Sequence, residues 1–265
     1  MTEWYREDIA YIHDVGHADF ALQTAPRILE ILAESGVREG LVVDLGCGSG
    51  LLARELLDAG YHVLGIDISE AMIAIARRRA PEAEFRVASL FEAEIPPCAA
   101  VTAVSEVLNY LFDPENGDQG LAHLFGRIHG ALAPGGVFVF DVLGPGQVSE
   151  GNTARSFRVG ADWAVLSERE EDVERGTLTR RITSFRKVEE HYRRDDEVHR
   201  LRLYGPSEIA RELHQIGFRV RTMHAYGRYP LPRAHAAFLA RKAGLTAVFT
   251  STDPIHRDKL RILHT

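Results

Sequence analysis

Seven consecutive residues carry the densest chemistry in the chain: Asp44-Leu45-Gly46-Cys47-Gly48-Ser49-Gly50. Glycines at every second position let a backbone turn tightly and approach a ligand where any Cβ would collide. The apolar LVVDL before them reads as a buried strand, and LLARELLDAG after them reads as a helix closed by Gly60. The turn therefore faces the free N–H groups of a helix start. A diphosphate-binding turn at this place would read G-x-G-x-x-G. Here the spacing is D-x-G-x-G-x-G. A carboxylate two residues before the first glycine repels a diphosphate and favours a ligand with a positive centre. A second acid, Asp67, closes the next apolar run, YHVLGID. A carboxylate there accepts hydrogen bonds from both hydroxyls of an unphosphorylated ribose.

A ribose, a positive centre and no phosphate together describe S-adenosylmethionine, with its α-ammonium and its sulfonium. Four segments in order, VVDLGCGSG, GIDISEAMIAIARRR, RVASLFEAEIP and LAPGGVFVFDV, make residues 41–143 resemble the class I S-adenosylmethionine-dependent methyltransferases, small-molecule type. The resemblance implies S-adenosylmethionine as cofactor and S-adenosylhomocysteine as product. It implies that Gly46, Gly48 and Gly50 make room for the methionine part, with Cys47 a small filler among them. Asp44 then orders that loop or meets the ammonium, and Asp67 holds the ribose diol. Ile68 lies against the adenine face, with Met72 nearby, although Met72 could equally be helix core. Ser89 and Leu90 fall at the adenine amino edge, where the family often has an acid. Ser105 and Glu106 fall near the methionine portion and the transferring methyl.

The elements that must position these residues alternate. Residues 41–143 read strand, helix, strand, helix, strand, strand, helix, strand, which gives right-handed crossovers and a parallel sheet covered on both faces. The expected fold is a doubly wound, seven-stranded, mostly parallel Rossmann-like sheet, its ligand crevice beyond the C-terminal strand ends. Residues 157–204 become long, charged and alternating, the pattern of an antiparallel β insert. The expected division is an N-terminal helical cover over 1–36, a cofactor-binding core over 37–150, the insert over 151–204, the rest of the core over 205–242 and a tail over 243–265.

No triad is expected, because methyl transfer from a sulfonium needs alignment more than activation. Three segments offer acceptor walls: Tyr5, Tyr11 and His13 in the N-terminal stretch, Glu106, Asn109 and Tyr110 after the fourth strand, and Trp163, Arg180, His191, Tyr192, His199, Arg202 and Tyr204 in the insert. Alternate residues of a strand share a face, so Arg180, Ile182 and Ser184 point one way, and so do Glu197, His199 and Leu201. Glu106 and His199 are the candidates for a catalytic role; Tyr11, Asn109, Tyr110, Arg202 and Tyr204 are the candidates for contact with the acceptor.

The chain has 265 residues, 38 acidic against 31 basic, and a formal charge of −7, which argues against a protein that clamps nucleic acid over its whole surface. Arg77-Arg78-Arg79 ends a helix, where cations are favoured, and Arg193-Arg194 is balanced by Asp195, Asp196 and Glu197. The segment SEVL stands where DNA adenine methyltransferases carry a base-stacking tetrapeptide, so a DNA acceptor is not expected. No run reaches the ~18–20 apolar residues of a membrane span. Two cysteines without CxxC fit a reducing, cytoplasmic compartment and no metal site, and His13 and His17 lack a carboxylate at zinc-motif spacing. The expectation is methyl transfer to N or O of a small molecule, with the insert covering the acceptor or making a homodimer contact. The alternatives are an RNA or protein methyltransferase, an NAD-dependent oxidoreductase, and a non-catalytic S-adenosylmethionine-binding protein.

Overall fold

The computed structural model describes residues 4–113, 116, 118–149 and 151–244. The expected tail lies outside them beyond residue 244. The central sheet holds β1 (Leu41–Leu45), β2 (His62–Asp67), β3 (Glu84–Val87), β4 (Cys98–Ala103), β5 (Leu132–Leu143), β10 (Phe218–Met223) and β13 (His235–Lys242), in the order β10-β13-β5-β4-β1-β2-β3. β1 to β5 pair in parallel, and β13 runs antiparallel between β5 and β10. This is the expected seven-stranded, mostly parallel sheet.

Alternation along each strand feeds two cores. In β5, Phe138 and Phe140 face one layer and Val137 and Val139 the other. The first layer is completed by α5 (Asp118–Ala131) and α6 (Pro206–Ile216), with Phe125, Ile128 and Leu213 inward. The second is completed by α2 (Ala18–Glu34), α3 (Leu51–Asp58) and α4 (Glu70–Arg79), with Ile28, Leu32, Leu56 and Ile73 inward. Burial on both faces explains why the inner strands β1 and β5 are apolar along most of their length, while the edge strands β3 and β10 carry charges.

The insert is a four-stranded antiparallel sheet in the order β6 (Ala154–Val159), β7 (Trp163–Asp172), β8 (Thr177–Val188), β9 (His191–Arg202). The first helix, α1 (Glu7–Gly16), lies against it, with Ile9 and Ile12 packed on Trp163 and Val165. A short ribbon of β11 (Ala225–Tyr226) and β12 (Tyr229–Pro230) completes the described chain. Among the described residues no helix is long and apolar enough to cross a membrane.

Candidate functional site

The glycine loop sits at the C-terminal end of β1, as the crossover rule requires. The Gly46 and Cys47 N–H groups both donate to the Ile66 carbonyl, at 2.7 and 3.1 Å, which clips the loop to β2. Gly46 has φ +67, and a Cβ there would stand 2.5 Å from the Val107 side chain. Gly48 has φ +52 and nothing within 4 Å of where a Cβ would be, so it leaves an open cradle. Gly50 departs from its expected role. It caps α3 at φ +76 against Ala76 and lines no cavity among those described, because its backbone is spent on starting the helix.

The two acids differ in their ties. Asp67 accepts from the Gly48 N–H at 2.9 Å and the Ser69 N–H at 2.8 Å, so it holds the cradle as well as facing it. Burial raises its pKa against those hydrogen bonds. Asp44 is 3% exposed and accepts from the Thr102 hydroxyl at 2.6 Å. Burial pushes its carboxyl up to about 7, Thr102 works against this, and Asp67 adds to it. No cation pairs with Asp44 among the described residues.

A cavity of about 110 Å³ runs over this loop and is lined by Gly46, Gly48, Asp67, Ile68, Met72, Ser89, Leu90 and Ser105. It continues into a cleft of about 80 Å³ beside Asp44, Cys47, Ser49 and His17. Met72 therefore does both things left open for it: it is buried and it is cavity wall. Ser89 does not stand alone. Its hydroxyl donates to the carboxylate of Asp113, a second cavity residue, so an acid reaches the edge where the sequence has only a hydroxyl.

A second cavity, of about 430 Å³, lies under the insert and is walled by α1, the β6–β8 face and the loop after β4. The two cavities share four residues: Tyr5, His13, Ser105 and Tyr110. Ser105 and Glu106 reach the junction in left-handed backbone, at φ 73 and 56, which non-glycine residues adopt only under constraint. The constraint is Asp141 at the end of β5. It accepts from the Ser105 N–H at 3.0 Å, the Glu106 N–H at 2.7 Å and the Tyr226 hydroxyl at 3.1 Å. Burial pushes its carboxyl up to about 6, against those hydrogen bonds. Glu106 pairs with Arg180 at 2.8 Å, and Tyr110 bonds Tyr5 hydroxyl to hydroxyl at 2.8 Å. Burial pushes the Tyr110 hydroxyl up to about 12, so it stays protonated.

His13 stands at the junction with its Nδ1 buried and without a partner among the described residues. Its ring stacks on His17 at 5.7 Å. Burial first, then His17 and Arg180, push its imidazole down to about 4, while Asp14 and Glu106 oppose this.

Of the seven candidates for catalysis or acceptor contact, Glu106 and Tyr110 line the 430 Å³ cavity and five others do not, whereas Tyr5, His13 and Arg180, offered by the same segments, line it too. His199 is 0% exposed and touches neither cavity. Its Nε2 meets Glu197 at 2.7 Å, and Glu197 accepts the backbone N–H groups of Tyr5 and Arg6 at 2.8 and 2.9 Å. The pair fastens the segment that carries Tyr5. Asn109 is buried, its amide spanning the Leu143 and Arg202 carbonyls at 2.8 and 2.5 Å. Arg202 lies at the end of β9 on the face away from His199, and Tyr204 is buried with its hydroxyl on Asn116 at 3.2 Å. Tyr11 faces outward from α1, bonds Asp162 at 2.9 Å and sits under Arg186. Alternation told which residues share a face, not which face turns inward.

The methyltransferase domain family model matches residues 42–136. A Geobacillus sp. (strain WCH70) protein named as a methyltransferase is 27% identical over 68% of this chain and 74% of its own length. The ubiquinone biosynthesis O-methyltransferase of Alkalilimnicola ehrlichii is 33% identical over 44% of this chain and 48% of its own length, so the chain spans about half of that relative. The crystal structure of the sugar N-methyltransferase KedS8 from Streptoalloteichus sp. superimposes with a TM-score of 0.71 at 18% identity, covering 92% of this chain and 94% of that one.

Proposed function

We propose that this chain, whose residues 42–136 match the methyltransferase domain family, is a class I S-adenosylmethionine-dependent methyltransferase that methylates N or O of a small molecule held in the cavity of about 430 Å³ beneath the insert. The meeting of that cavity with the glycine-loop cavity at Tyr5, His13, Ser105 and Tyr110 carries this reading, because it opens a passage between cofactor and acceptor. The size suits a small ligand, for which ~300–1,000 Å³ is usual. The ubiquinone-pathway relative, named for O-methylation, and the solved sugar N-methyltransferase support a small acceptor, one for each atom.

The residues present fit the cofactor. Gly48 leaves a cradle that a Cβ would fill, and the buried Asp44 carboxylate has no cation of its own among the described residues. Asp44 would meet the α-ammonium, Asp67 the ribose, and Ile68, Met72 and Leu90 the adenine, with Ser89 and Asp113 at its amino edge. The bound cofactor supplies a methyl on a sulfonium, an excellent leaving group. The protein has to align the acceptor and exclude water. Tyr5 and Tyr110 close the passage, and Asp141 fixes Ser105 and Glu106 beside it. Glu106 is held by Arg180, so its role is to shape the acceptor wall. His13 is placed to accept a hydrogen bond from the nucleophile, since its Nδ1 has no partner among the described residues and its ring is neutral at pH 7.

Calorimetry with S-adenosylhomocysteine and an acceptor screen with methyl-labelled S-adenosylmethionine test the function. No binding sinks it, and label arriving only on RNA or protein overturns the small-molecule acceptor. The role of His13 has its own probe in sinefungin, which carries an amine where the methylsulfonium would be. His13→Leu is expected to weaken sinefungin about tenfold while S-adenosylhomocysteine changes less than about threefold. Equal weakening of both would remove His13 from the passage.

Asp44 predicts a pH dependence. An ammonium beside it favours the carboxylate, so ligand binding expels the proton that Asp44 holds below its pKa of about 7. S-adenosylhomocysteine affinity should therefore rise roughly tenfold from about pH 6 to about pH 8. Asp44→Asn should flatten the profile. A flat profile in the parent protein would show that Asp44 does not meet the ammonium.

A further inference from the structure

Across the insert, Arg169 of β7 stands directly opposite Arg180 of β8 in the antiparallel register. Residues so paired project from the same face, with Cβ atoms about 5 Å apart, and like charges placed this way destabilise the sheet. Both arginines line the 430 Å³ cavity. Arg180 is neutralised by Glu106 at 2.8 Å. No carboxylate pairs with Arg169 among the described residues.

The acids that could serve it are engaged elsewhere or exposed to solvent. Glu171, two residues on along the same strand face, gives both oxygens to the Gly146 and Val148 N–H groups at 2.8 and 3.0 Å. Asp141 holds Ser105, Glu106 and Tyr226. Asp19 is exposed on α2 at the cavity wall. The other cavity cation, Arg158, is exposed and donates to the Gly16 carbonyl at 2.6 Å. Groups able to donate share its face and its cavity. Ser167 is two residues away on its own strand, Ser156 is opposite Ser167, and His235 faces the same space. A half-buried cation that opposes another cation and points into a binding cavity works against the fold unless a ligand supplies its partner.

Resting on the proposed function, we propose that Arg169 is the anchor for an oxyanion on the methyl acceptor, so the substrate is a small molecule bearing a carboxylate or a phosphate. Arg169 fixes the charged end, Ser156, Ser167 and His235 donate to it, and the apolar wall of Ile9, Ile12, Val165 and Ile182 receives the body of the molecule. Held at that end, the acceptor can present its nucleophile to the passage at Tyr5 and His13. A planar guanidinium suits both anions, through two parallel hydrogen bonds.

Benzoate and phenyl phosphate, with benzyl alcohol as the neutral control, are titrated into the S-adenosylhomocysteine-loaded protein and followed on arginine Nε–H resonances. Both anions are expected to bind, and Arg169→Gln to weaken them about tenfold with Arg169→Lys intermediate and benzyl alcohol unchanged. A greater loss for phenyl phosphate assigns the phosphate, a greater loss for benzoate the carboxylate, and equal losses the oxyanion alone. Parent and Arg169→Gln binding the anions equally, or neither anion binding the parent, overturns the proposal. If S-adenosylhomocysteine itself does not bind, the methyltransferase reading fails separately, and the same titration on the ligand-free protein still decides Arg169.

Discussion

Replacing Glu197 with alanine is expected to remove about 3 kcal/mol of folding stability, because it leaves three donors without their charged acceptor. Those donors are the Tyr5 and Arg6 N–H groups and His199 Nε2, and Glu197 is itself 5% exposed. Burial alone would raise the Glu197 pKa, but the hydrogen bonds from His199, Arg6 and Tyr5 outweigh it and hold it low. Burial also lowers the His199 pKa, more than Glu197 raises it, so the pair is a carboxylate and a neutral imidazole. Both groups therefore bind protons more readily when the chain is unfolded, and both contribute stability that is lost as pH falls. The loss begins below the ordinary histidine value of 6.5 and deepens below the ordinary glutamate value of 4.5. Denaturant melts of the parent and Glu197→Ala across that range measure it. The variant should lose the glutamate part of the acid step, below about 4.5, keep the histidine part below 6.5, and bind S-adenosylhomocysteine more weakly, since Tyr5 lines both cavities. A change below about 1 kcal/mol with the acid step intact would mean that the N-terminal segment is held by other contacts.

The glycine-loop side of the proposed site was legible because its determinants are local. Asp44 to Gly50 and Asp67 lie at strand ends within one βαβ unit, so strand periodicity and glycine spacing place them together without knowledge of distant contacts. The proposed adenine edge was half legible. Ser89 lines the cavity over the glycine loop, but the acid beside it, Asp113, arrives from 24 positions along the chain by a turn that no periodicity encodes. Asp141 left a signal that went unread: a carboxylate inside the apolar FVFDVL, at the crevice end of a central strand. The acceptor side was poorly legible. Strand alternation grouped Glu197 with His199 and Arg180 with Ile182, but the choice of inward face depends on how the insert docks on α1. That docking turned His199 into an anchor for the N-terminus, left Tyr11 outside, and brought His13 to the passage.

Asp67→Ala is expected to weaken S-adenosylmethionine by about 1.5–3 kcal/mol, the range for hydrogen bonds to a charged acceptor. Asp67 also holds the Gly48 and Ser69 N–H groups, at 2.9 and 2.8 Å, so the variant will disturb the cradle whatever the ribose does. Affinity loss alone cannot separate these two effects, and a coupling can. 5′-Methylthioadenosine and its 2′-deoxy counterpart differ only in the hydroxyl that Asp67 is expected to accept. In the parent protein the deoxy compound should bind more weakly by roughly tenfold, and in Asp67→Ala the two should bind alike, because the partner of that hydroxyl is gone. The loosened cradle weakens both compounds equally and drops out of the ratio. A deoxy penalty that survives in Asp67→Ala would place the ribose on another group, and the cleft beside Asp44 would then have to be reassigned along with it.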